Sequence, residues 1–318
     1  MSSSASITRN AAPETVQRPT LGGLLLPVEA MVLKLICLMA IGLVVLAPMR
    51  GITVDYLSFF PKVLVGAALF AVAAGYRLKN RSPNIPLSLI AISLFVMFSA
   101  VGAALNYVLA PVGTPPIDPF LVRLDSMAGF DWIGFVDWFA RYPAISGPLL
   151  IIYNSSLIQL AAVIIVLGLT GRQVQLHRFL LSGIAASIVS IAFWSVFPSI
   201  GPAATLAIDP QTVETLGLLV GPEYSTALRG LLETGVDHVS ADNLLGLIAF
   251  PSMHTVMMCM TVWYMRQTRL FPVIVLINLP MIPAILLHGG HHLVDVASGI
   301  ILFGIVAAIV RRAVPETT

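Results

Sequence analysis

The chain predicts an all-α, polytopic membrane helical bundle of about eight transmembrane helices with both ends in the cytoplasm, and three observations carry that prediction. The first is composition. Of 318 residues, 58% are hydrophobic and only 10% charged, with a mean hydropathy of +0.94, whereas soluble domains carry about 25% charged residues. No aqueous fold can hide that much apolar surface. The second is that the apolar residues fall in stretches close to the ~20 that cross a hydrocarbon core. The third is a regular alternation of basic residues between successive connecting segments.

Residues 1–26 are polar and rich in Ser, Thr and Pro. They lack a basic start followed at once by an apolar core, so a disordered tail is expected there rather than a cleaved signal. Residues 27–143 hold the first three spans, Val28–Pro48, Leu57–Tyr76 and Ile85–Leu109, followed by a long loop, and read as an accessory region. Residues 144–312 hold Ala144–Leu169, Phe179–Phe197, Leu247–Met265, Phe271–Leu287 and His292–Val310, and 313–318 form a short tail. Pro272, Pro280 and Pro283 predict an interruption in the seventh span.

With the N-terminus inside, one side receives Arg9, Arg18, Arg77, Lys79, Arg81, Arg172, Arg178, Arg266, Arg269, Arg311 and Arg312. The other side receives only Arg50, Arg123, Arg141 and Arg229 in its loops, together with most of the acids. Both ends are then cytoplasmic, and the loops at Ala110–Pro143 and Ser199–Gly246 are outside. Within the first, residues 130–141 interleave aromatics and acids, which fits either an in-plane amphipathic helix or an ordinary structured loop.

A net charge of +2 without a basic tract points away from a nucleic-acid partner. Two cysteines, Cys37 and Cys259, do not make a disulfide framework. No internal repeat suggests an inverted-repeat transporter.

Ionisable groups gather at the starts of two spans. Phe250-Pro251-Ser252-Met253-His254 opens the sixth, and His288-Gly289-Gly290-His291-His292-Leu293-Val294-Asp295 opens the eighth. Such groups near a bilayer are functional candidates. Both spans start on the outer side, so two helix N-termini with unpaired N–H groups can converge on an anion such as phosphate. Asp295 lies four residues after His291, on one helical face. It can hold one imidazole nitrogen and leave the other as a nucleophile, while His254 supplies a proton to a leaving alkoxide. Ser252 can cap its helix or donate to the anion.

Pro251-Ser252-Met253-His254 resembles the P-S-x-H motif of the type 2 phosphatidic acid phosphatase superfamily, and His291-His292-Leu293-Val294-Asp295 resembles its H-x-x-x-D motif. The Phe-Pro-Ser-x-His form and the His-His pair are most similar to the inositolphosphorylceramide synthase (aureobasidin-resistance) branch, and the resemblance spans roughly Ala144 to Arg312. It implies His291 as nucleophile, Asp295 as its partner and His254 as acid/base, with no cofactor and no metal. Parts of the family pattern are missing. Where phosphatases place Ser-Arg ahead of the third motif this chain has Ala284 and Ile285, and the first motif, a lysine followed by Arg-Pro, has no counterpart. Arg229 is the first candidate for the missing phosphate-binding cation, followed by His288, His292 and His238.

The expectation is therefore a lipid phosphate phosphatase of the inner (plasma) membrane, acting on a lipid-linked phosphate at the outer face through a phosphohistidine. One alternative is a phosphotransferase with an alcohol acceptor. Another is a transporter or scaffold without chemistry. A zinc centre of His288, His291, His292 and Asp295 is a third possibility for the same residues.

Overall fold

The computed structural model describes residues 24–316. The tail expected over 1–26 lies outside the described residues except for Leu24, Leu25 and Leu26, as do the last two residues of the tail expected over 313–318. The architecture is all-α. The first three long helices are α1 (Pro27–Met49), α2 (Tyr56–Leu78) and α3 (Asn84–Val108). Two short helices follow, α4 (Asp118–Met127) and α5 (Trp132–Ala140), then α6 (Ser146–Asn154), α7 (Ser156–Leu169) and α8 (Gln173–Trp194). A long connection holds α9 (Pro202–Thr205), α10 (Pro210–Leu216) and α11 (Pro222–Thr234). The chain closes with α12 (Met253–Met265), α13 (Phe271–Asn278), α14 (Met281–His288) and α15 (Leu293–Ala313). Among the described residues the one strand pairing is parallel, between β1 (Thr53–Val54) and β2 (His238–Val239).

Six helices are long and apolar enough to span a bilayer, or seven when α6 and α7 are joined across their 44° bend. The chain is a multi-pass membrane protein. The bend arises where Ser155 Oγ donates to the Ile152 carbonyl (2.6 Å) and Ser156 Oγ to that of Tyr153 (2.8 Å), drawing acceptors out of the helical ladder. The seventh expected span is interrupted at Leu279-Pro280, as its prolines predicted.

The sixth expected span, Leu247–Met265, differs from expectation. Its helix starts only at Met253, because Pro251 brings no N–H and Ser252 is an extended N-cap whose Oγ accepts from Thr255 N–H (3.3 Å). Thirteen residues rise roughly 20 Å, short of the ~30 Å core. The extended approach is tolerated because Leu247, Ala249, Pro251 and Ser252 are buried in protein. The fifth expected span, Phe179–Phe197, is displaced the other way as α8. It starts at Gln173, six residues before Phe179, because Arg178 is neutralised there by Glu316.

Short α12 is the hub of the bundle, packing against α7, α8, α13, α14 and α15. Helix α3 joins α1 and α2 to that hub through α7 and α8. At Gly168 the α3 and α7 backbones nearly touch, since a Cβ there would lie 2.8 Å from Ser88 Cα. Small residues allow such approach where lipid removes the hydrophobic drive between helices. Outward stripes such as Ile301, Ile305 and Ile309 on α15 are exposed, as lipid permits. Cys37 is likewise on an exposed face of α1.

Side chains at helix ends show which ends share a face. Arg77 forks onto Glu29 (2.5 and 2.7 Å), Asn84 reaches the Leu169 carbonyl (3.0 Å), Arg172 that of Gln267 (2.7 Å), and Arg178 that of Val314 (2.8 Å). This terminal face carries both described ends of the chain. On the opposite face Arg50 donates to the Ala110 carbonyl (2.9 Å), β1 meets β2, and His291 and His292 open α15. Within residues 130–141 there, Trp132–Ala140 form α5, capped by Asp131, with Trp132, Val136 and Phe139 buried against the protein. Trp132 Nε1 donates to the Leu286 carbonyl (2.9 Å), which seats α5 on α14.

Candidate active site

The N-terminal ends of α12 and α15 are in direct contact. Ser252 N–H donates to the Asp295 carbonyl (3.1 Å), and a Cβ on Gly299 would stand 2.6 Å from the Ser252 carbonyl oxygen. Glycine at 299 is therefore what allows the two ends to close. The approach puts the His254 and His291 rings 6.4 Å apart between centroids at 64°, within reach of one phosphate-sized group. His254 is stacked on Tyr153 from α6, with centroids 4.1 Å apart and planes at 22°.

Asp295 is fully buried, and its Oδ2 faces His291 Nδ1 at 3.1 Å while also accepting the His292 N–H (2.8 Å). With Nδ1 so engaged, Nε2 of His291 is the nitrogen left for a reacting group. Asp295 Oδ1 is buried without a partner, so the carboxylate has unused acceptor capacity beside the imidazole.

His292 has a part that the sequence did not reveal. It lies just ahead of the span, 1% exposed, with Nε2 3.2 Å from Asp118 Oδ1 and Nδ1 3.2 Å from Asp125 Oδ2. Burial pulls its pKa down, but the hydrogen bonds to Asp118 and Asp125 outweigh it and lift it to about 9. The ring thus carries a proton at neutral pH between two carboxylates. Asp125 also takes the N–H groups of Leu293 and Val294 (3.0 Å each), and Asp118 those of Ile200 and Gly201 (3.0 and 2.7 Å) with the Ser199 hydroxyl (3.0 Å). These contacts correct one expectation. The first amides of α15 are occupied by Asp125 and Asp295 and are not open to phosphate.

The expected phosphate-binding side chains are placed variously. Ser252 is fully buried at its cap. Arg229, on α11, is exposed and donates to the Ala204 carbonyl, and the depression it lines with Thr205 and Glu233 includes no histidine. His288 is buried with Nε2 at the Ser146 carbonyl (2.9 Å). His238 is exposed in β2. No hydrogen bond or ion pair among the described residues joins Arg229, His288 or His238 to His254 or His291, and Ile285, where phosphatases place arginine, is fully buried among apolar groups. The zinc alternative also loses its ligand set, because His288, His291 and His292 turn to three different partners. Among the described residues no group of three or more His, Cys, Asp or Glu could hold an ion.

Compared with models of protein families, residues 119–309 match that of the PAP2 superfamily, more than half of the chain. The chain belongs to the PAP2 superfamily. No curated protein and no solved structure matches it. The PAP2 match begins ahead of residue 144 and so takes in α5 and all of α4 but its first residue, Asp118. Membership carries a lipid phosphatase or phosphotransferase type of function in a bilayer setting.

Tyr153, Asp118, Asp125 and His292 are the site residues that sequence reasoning passed over or discounted. One signal was present: Asp118 and Asp125 are seven residues apart, two helical turns, and so share a face.

Proposed function

We propose that this PAP2 protein is a lipid phosphate phosphatase working through a phosphohistidine, and the observation that carries the proposal is the His254–His291 approach with Asp295 behind His291. His291 Nε2 attacks phosphorus, forming an N–P bond as the P–O bond to the lipid breaks. His254 gives its proton to the departing lipid alkoxide. Water then attacks phosphorus, His254 takes a proton back, the N–P bond breaks and phosphate leaves. Asp295 holds His291 oriented and stabilises its charge, and no step calls for a metal. An apolar cavity of about 120 Å³ beside Met253 and Met257, walled by Phe98, Phe179 and Ile184, leaves room for a few methylenes of a lipid tail between helices. In this reading the histidine face is the outer face of the inner (plasma) membrane and both ends are cytoplasmic, in line with the positive-inside bias. Helices α1 to α3, outside the matched region, act as scaffold.

Phosphate release from a short-chain lipid phosphate by the purified chain tests the proposal. His291→Ala and His254→Ala should each lower turnover by roughly 100- to 10,000-fold, and His291→Ala should abolish any acid-labile phosphoenzyme. Wild-type turnover in both variants would leave a transporter or scaffold as the reading.

Two observations favour a second reading, a phosphotransferase like the inositolphosphorylceramide synthase branch. The arginine position of phosphatases is a buried isoleucine, and the His-His pair is intact. The same intermediate then meets an alcohol instead of water. Adding inositol to the assay and finding phosphorylated alcohol in place of inorganic phosphate would select it.

A further inference from the structure

A cleft lies at the terminal face, at the other ends of the helices that carry the histidines. It has a volume of about 750 Å³ and is bounded by the first turns of α8, the last turn of α12 and the last third of α15. Helix α12 alone separates it from His254 by roughly 17 Å. Four guanidiniums, Arg178, Arg266, Arg311 and Arg312, line it against one carboxylate, Glu316. Glu316 Oε1 lies 2.6 Å from Arg178 Nη1. Arg266 is stacked 4.0 Å over the Trp263 ring. Arg311 and Arg312 are exposed and make no ion pair among the described residues. On the cleft wall Gln175 keeps a buried Oε1 without a hydrogen-bond partner. Phe303, Gly304 and Ala307 continue the wall along α15 as a low apolar track toward the bilayer centre.

The bias of basic residues toward one side explains arginines at this face. It does not explain why they surround a cavity, with an aromatic floor, an unpaired amide oxygen and an apolar track. We propose that this cleft binds the phosphate headgroup of an anionic phospholipid, as a site separate from the histidine pair. Arg311 and Arg312 fork onto the phosphate oxygens, Gln175 Oε1 accepts from a headgroup hydroxyl, and one acyl chain follows the α15 track. Glu316 already presents a carboxylate to Arg178 as a phosphate would, so the chain carries a competitor for its own ligand.

The test uses the full chain in detergent with native mass spectrometry and thermal unfolding, titrated with phosphatidylglycerol or phosphatidylcholine. Wild type should retain phosphatidylglycerol and gain thermal stability with it, and do neither with phosphatidylcholine. Arg311→Gln with Arg312→Gln should weaken retention about tenfold, near 1.4 kcal/mol. Lysine at both positions preserves the charge that orients the chain but not the fork, and should still weaken retention. Glu316→Gln should tighten it. Lipid phosphate turnover should be unchanged in all these variants. Equal retention of both lipids, or unchanged retention in the glutamine variant, overturns the proposal. Stabilisation by millimolar inorganic phosphate equal to that by lipid would assign the cleft to a free anion and overturn it too.

Discussion

Asp295 serves two donors through one oxygen, the His291 ring and the His292 amide, so its replacement acts on orientation more than on binding. Asp295→Asn can point an N–H at His291 Nδ1 and turn the ring or its tautomer; kcat should fall with KM nearly unchanged, as initial rates over lipid phosphate concentration would show. His292 supports the site differently. Its folded pKa of about 9 lies above the ordinary 6.5, so its stabilisation is fully present below pH 6.5 and is lost as pH rises through about 9. The melting temperature in detergent should decline over that window, and His292→Asn should flatten the decline. Asp125→Ala leaves a buried imidazolium with half its pairing and strips two α15 amides of their acceptor, at a cost of about 3–5 kcal/mol. His254, His291 and Asp295 were legible because each signal is local, a histidine at a helix start or an acid one turn after it. Asp118 and Asp125 were not, because they lie 174 and 167 residues from the histidine they hold and looked like any acids of an outer loop.

At the scale of helices, the site exists because α12 and α15 meet at Gly299. Gly299→Leu places a branched side chain against the Ser252 carbonyl and Thr255 Cβ. Overpacking of this kind costs about 1–3 kcal/mol. It should also pull the two imidazoles apart, so phosphate release should drop while the folded yield by size-exclusion chromatography stays largely intact. Hydropathy located these helices well, since span length is set by lipid thickness. It missed the late start of α12 because Leu247 to Pro251 are as apolar as a helix would be there. What ends the helix is a missing amide and a serine cap, features that hydropathy does not weigh. The 44° break at Ser155 was hidden for the same reason, inside an unbroken apolar stretch.

For the whole molecule, the two faces are told apart by contacts distant in sequence, and their sidedness is open to direct measurement. In a background lacking Cys37 and Cys259, an impermeant thiol reagent should label Asp237→Cys on intact cells and Arg81→Cys only after permeabilisation. The reverse pattern would turn the histidine face toward the cytoplasm. The all-α architecture was legible from composition together with apolar stretches of span length. The seating of α4 and α5 was not, because their anchors, the Trp132 indole on Leu286 and Asp118 on residues 199–201, are tertiary contacts without a periodic trace. The hydrogen at residue 168 has a larger consequence. With no side chain between α3 and α7, the leading three-helix unit is packed backbone to backbone against the half that carries the histidines. Trimming the protein to the homologous stretch would open a seam along the back of α7, and the trimmed chain should aggregate on extraction instead of emerging as a smaller enzyme.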